Sequence, residues 1–216
     1  MAVFDLLNEH RLTGILLVLA FISFAIGAGL PTIGPKGNIG FFNLPMREYL
    51  SAVAGNSVAW RWANVFMGAA VVLLIAGLTM LTTILEGGGE RVLSRLGFVG
   101  FLFAALLWVL FSAFRASVTV MAAEEMAATG TVPPYYEPLA QWGFALFLVY
   151  AVVGFLALAS YGGSLLRVDL LPAWVGWGTI IFSIGLLVLL LITGDTLPAF
   201  HYIPPLLIGI LLLVRG

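Results

Sequence analysis

The sequence contains no cysteine and little charge: of 216 residues, 9 are Lys or Arg and 10 are Asp or Glu. The missing cysteine removes disulfide frameworks, thiolate metal sites, cysteine nucleophiles and lipid attachment to cysteine. The basic residues stand scattered rather than in a patch, so no nucleic-acid partner is expected. Lysine occurs once, at Lys36 between apolar runs, which leaves no span lysine for a retinal Schiff base. Histidine is limited to His10 and His201, predicted at opposite membrane faces, so neither a bis-histidine haem nor a clustered metal site fits. No cofactor and no metal are expected.

What is abundant is apolar sequence: 62% of residues are hydrophobic and the mean hydropathy is +1.14, where soluble chains carry roughly a quarter of charged residues. Six apolar runs stand out at 12–30, 58–85, 96–123, 142–166, 173–193 and 197–214. The first five are each long enough to cross a core of about 30 Å as a helix of roughly 20 residues. Continuous runs without alternation exclude a membrane barrel. The expected fold class is therefore all-α: a polytopic bundle of six transmembrane helices in one integral membrane domain, 1–216, with the lipid bilayer as its main partner. The first run is expected to be a retained span, since Asp5 and Glu9 spoil the basic leader of a signal peptide and the run exceeds its usual length.

Between the first two runs, Gly and Pro dominate up to Phe41-Phe42, and an amphipathic pattern over Pro45 to Ala54 predicts a short interfacial helix in the first outer loop. Arg11, Arg91, Arg95, Arg167 and Arg215 fall on one side, and Lys36, Arg47 and Arg61 on the other. The stretches 124–141 and 194–202 contain neither Lys nor Arg. Both termini are therefore expected in the cytoplasm. Trp60, Trp62, Tyr135, Tyr136, Trp142 and Tyr202 then gather at the outer boundary, where interfacial anchoring is their ordinary role and lining a site the alternative.

Arg115 is the charge that needs explaining, because it sits inside the third run. It lies 20 residues beyond Arg95, about 30 Å along a helix, which puts it near the outer boundary. The apolar sequence nevertheless continues to Ala123, so that extension must be covered by protein or strongly tilted. At 100° per residue, Trp108, Ser112, Arg115, Thr119 and Met126 share one stripe within about 60°, suited to a bundle interior. Glu124 and Glu125 fall off that stripe, so a carboxylate partner is expected from another segment: Asp195 first, Glu137 second. Pro204-Pro205 shortens the last helix and predicts either a kink or a non-helical descent through 198–202. Both options bring His201 toward the outer half, and Asn64 joins it one turn after Arg61. An outer polar cluster of Arg61, Asn64, Arg115, Glu137, Gln141, Asp195 and His201 is the candidate site.

Chemistry within the membrane is harder to support. Ser160 and Ser164 with His201 superficially resemble a rhomboid protease, but Gly-x-Ser-Gly is absent and the serines are predicted at the opposite depth from His201. Gly162 and Gly163 are better explained as sites of close helix packing. Three plus three spans suit a transporter plan, although no internal repeat is visible. The leading expectation is a non-enzymatic protein whose outward-facing pocket around Arg115 binds a small polar or amphiphilic molecule, a lipid included. An accessory subunit of a larger membrane complex comes next, then a transporter protomer or homo-oligomer. The blocks Trp60-Arg61-Trp62-Ala63-Asn64, 114–119, 136–142 and 170–177 resemble small multi-pass proteins of bacteria. That resemblance implies a bacterial inner membrane and carries no activity.

Overall fold

The computed structural model describes residues 9–33 and 44–215, so the expectations placed on Lys36 and Phe41-Phe42 lie outside the described residues. Among those described there is no strand. The helices are α1 (Glu9–Gly29), α2 (Met46–Ala54), α3 (Ser57–Gly87), α4 (Val92–Thr129), α5 (Tyr136–Leu165), α6 (Ala173–Thr193) and α7 (Ile203–Arg215), with 3-10 turns at Leu30–Ile33 and Pro198–Tyr202. Six helical segments are long and apolar enough to cross a membrane, the last being Pro198–Arg215. The chain is a multi-pass helical membrane protein.

Short connections force consecutive long helices to run antiparallel, and α3, α4, α5 and α6 pack in that order, while α1 lies between α3 and α7. The N-terminal ends of α3 and α5, the C-terminal end of α4 and the turn before α7 thus share one end of the bundle, called here the Arg115 end. The opposite end holds the α3–α4 connection. Two helices stop at left-handed glycines: Gly130 (φ 75°) closes α4 with its amide on Met126 O at 2.8 Å, and Gly194 (φ 71°) closes α6 on Leu190 O at 2.8 Å. Pro172 stands one residue before α6, and its carbonyl accepts from the Val175 amide at 2.9 Å.

Close approach replaces large side chains where helices cross. A Cβ on Gly162 would lie 2.8 Å from Gly176 O across α5–α6, which confirms the packing role expected of that glycine. Polar ring atoms fasten other crossings. Trp108 donates its indole N–H to Met67 O at 3.1 Å, and Tyr161 shares a 2.7 Å hydrogen bond with Thr82 Oγ1. Each such contact satisfies a polar group where no water competes.

The sixth crossing is neither of the simple alternatives. Pro198–Tyr202 forms a 3-10 turn and the Pro204-Pro205 pair sits in the first turn of α7, where missing amides cost nothing. At about 2.0 Å per residue in the turn and 1.5 Å in the helix, the two together span about 30 Å. His201 and Tyr202 are fully covered, so the tighter backbone is surrounded by protein.

Candidate functional site

Helix α4 runs for 38 residues, well past one bilayer thickness. Its extension is covered by α2, whose Leu50 and Val53 pack with Trp60, Val120, Ala123, Met126 and Tyr136 in a second apolar cluster. Arg47 of α2 donates to Gly130 O at the α4 terminus, which pins the short helix in place. The predicted stripe is buried throughout: Trp108, Ser112, Arg115, Thr119 and Met126 are all inaccessible or nearly so.

Arg115 is only 6% exposed. Its guanidinium carbon lies 4.4 Å from the centroid of the Trp60 ring and 5.4 Å from that of Phe111. Rings at these distances attract a cation through their negative faces. Trp60 is held for this purpose by its indole N–H on Arg115 O at 2.9 Å and by an edge contact with Tyr49 at 5.6 Å. Burial raises the pKa of the Tyr49 hydroxyl, and the neighbouring Arg115 charge, with contacts to Tyr136 and Thr119, pulls part of that rise back. Tyr136 donates to Thr119 Oγ1 at 3.2 Å and stacks on Phe114 at 6.2 Å.

Of these groups, Arg115, Tyr49, Tyr136, Phe111 and Phe114 line a cavity of about 600 Å³. Its apolar surface comes from Phe111, Phe114, Phe144, Phe147, Leu197 and Pro198, and its polar surface from Arg115, Tyr49, Tyr136, Asp195 and Thr196. Asp195 is exposed and its Oδ1 accepts from the Thr196 amide at 2.7 Å. Thr196 is 9% exposed, and its hydroxyl has no hydrogen-bond partner among the described residues. A volume of this size with few convergent polar groups on an apolar lining is the ordinary form of a small-molecule site.

Of the predicted cluster, Arg115 and Asp195 share this cavity. The others are placed elsewhere. Arg61 reaches outward to Glu124 at 3.2 Å in an exposed ion pair. Asn64 is buried and donates to Trp60 O at 2.8 Å, one turn back along its own helix. Glu137 and Gln141 are exposed on the first turns of α5. His201 is fully buried between the rings of Tyr150 (4.5 Å) and Phe155 (4.1 Å), with Nε2 3.2 Å from Ala151 O. It fills the notch left by Gly154, where a Cβ would meet His201 Cδ2 at 2.6 Å. The sequence reading missed Tyr49 and the phenylalanine wall, and it placed Tyr136 and Trp60 among the anchors. Trp62 and Trp142 keep the exposed position that anchoring requires, at 56% and 52%.

The other end of the bundle carries a buried charge too. Glu90 is 5% exposed, with Oε1 accepting from the amides of Val92 (3.0 Å) and Leu93 (2.9 Å) and Oε2 from the Ser94 amide (2.9 Å) and Ser164 Oγ (2.6 Å). The carboxylate thus caps α4 and ties it to α5, with the helix dipole adding to its stabilisation. Burial pushes its pKa up, but the bonds from Ser164, Leu93 and Ser94 outweigh that and hold it below the usual carboxylate value. A second hollow of about 510 Å³ near Glu9, His10, Gly88 and Asp169 is an open depression at this end. Among the described residues, no group of His, Asp and Glu could hold a metal ion.

No protein-family model, curated protein or solved structure matches this chain. The functional reading therefore rests on the site itself.

Proposed function

We propose that the protein binds a small polar or amphiphilic molecule in the cavity beside Arg115, facing the outer side of a bacterial inner membrane. The single observation that carries this reading is a 600 Å³ space lined by phenylalanines and by a buried guanidinium. A guanidinium kept away from water serves a bundle that must admit a polar group more readily than one that only needs to pack. Both termini face the cytoplasm in this account, in line with arginine placement, and α2 lies along the interface with Arg47 toward water.

The test is photolabelling in membranes with a monoacylglycerol that carries a diazirine in its chain. Labels are expected on Phe144, Phe147 or Leu197, with loss of that labelling when Ala140→Trp fills the cavity. Labelling confined to lipid-facing positions such as Val72 and Ile181, unchanged in Ala140→Trp, would overturn the reading.

The accessory-subunit alternative draws support from α6, which packs mainly on α5 and leaves Gly178 and Gly185 with nothing within 4 Å. A second helix could approach closely there. Solubilisation in mild detergent that yields a lone monomer with no companion protein would count against it.

A further inference from the structure

We infer that the molecule taken by the Arg115 cavity is an amphiphile with an anionic head, a carboxylate or a phosphate, seated with its charge on Arg115 and its chain along the phenylalanine wall. This rests on the reading of the cavity as an amphiphile site and adds to it the sign of the head and its direction. The polar part of the lining is rich in donors. Arg115 brings to the lining a planar cationic fork of N–H groups whose geometry matches two oxygens of a carboxylate or phosphate. Contact with the faces of Trp60 and Phe111 stabilises the cation and helps to orient its fork at the cavity. The Thr196 hydroxyl, nine-tenths buried and without a partner among the described residues, adds a donor to the lining.

The carboxylate in the lining does not reverse this balance. Asp195 is exposed to water, and one of its oxygens already accepts from the Thr196 amide. Water screens it, whereas the charge on Arg115 acts in a low-dielectric wall where Coulomb interaction is several-fold stronger. A cationic head would meet the buried guanidinium, so the site selects by repulsion as well as attraction. Phe111, Phe144, Phe147 and Leu197 then offer a continuous apolar surface to a chain, which a free anion would leave empty.

The test is displacement of the diazirine label by four twelve-carbon competitors at about pH 8, where a carboxyl group is ionised. Dodecanoate and dodecyl phosphate are expected to compete at least about tenfold better than dodecanol and dodecyltrimethylammonium. Acetate and inorganic phosphate are expected to fail. Arg115→Gln should erase the tenfold preference while dodecanol still competes, and Arg115→Lys should recover part of it. Equal competition by dodecanol, or better competition by the ammonium compound, overturns the anionic head but leaves an amphiphile site. Displacement by acetate or phosphate as effective as by their long-chain forms overturns the amphiphile. If no competitor displaces label from the cavity residues, the underlying reading fails as well. Wild-type protein alone decides between these outcomes, so a poorly folding Arg115 variant does not blunt the test.

Discussion

Among the described residues each end of the bundle buries one charge, and the two ends treat it in opposite ways. At the α3–α4 connection, Glu90 is surrounded by four hydrogen-bond donors that belong to the fold itself, three backbone amides and the Ser164 hydroxyl. At the other end, Arg115 lies against aromatic faces and opens onto a cavity. A charge whose partners are the helix terminus it caps is a structural device, since removing it orphans those groups. A charge in the wall of a cavity is placed where it can act on whatever enters that space. Under the proposed function, the difference between them separates stability from binding.

The strongest way to break this comparison is to remove Glu90. Glu90→Ala is expected to cost about 3–5 kcal/mol, because three α4 amides and Ser164 lose their acceptor in a dry setting. Equilibrium unfolding in mixed micelles measures it, and a cost below that of an Arg115 variant would invert the assignment. Next comes His201, a polar group used as packing between the ends. His201→Ala should cost about 2–4 kcal/mol, the range for emptying a well-filled buried site, and should leave amphiphile binding in place. Arg115→Gln is expected to cost only about 1–2 kcal/mol of stability, from the lost ring contacts, while it removes the preference for anionic heads.

Acid sharpens the contrast further. The Glu90 pKa is held below its ordinary 4.5 in the folded protein. The unfolded chain therefore binds the proton more readily, and the stabilisation is complete above about 4.5 and lost as pH falls through the folded value. Melting of the wild type should decline across that acid window, and Glu90→Gln should flatten the decline. The smallest effect belongs to Arg61→Ala. Its pair with Glu124 is exposed on both sides, so the change should stay below about 1 kcal/mol by the same unfolding measurement.

Much of this architecture was legible in the apolar runs, because six stretches of that length and composition have few other ways to fold. The Trp108-to-Met126 stripe was legible for the same kind of reason, since a helix fixes which of its own residues share a face. What lay between helices was not. Asp195 was placed in the cavity with Arg115 on depth alone, and the same argument misplaced His201, which Gly154 accommodates within the core. Depth along a helix gives no azimuth, so Arg61 and Asn64, three residues apart, read as one cluster although one turns to water and the other inward. Glu90 escaped notice because a run of three glycines reads as a solvent turn, and nothing local reveals that Ser164 closes over it. Tyr49 and Phe144 joined the site through tertiary contact with no signal of their own.

Native mass measurement of the protein taken directly from the membrane in which it was made tests the central claim most directly. The account predicts one bound amphiphile on the wild type, retained as the detergent is stripped away, and none on Ala140→Trp. Bare protein in both, or the same bound mass in both, would contradict it.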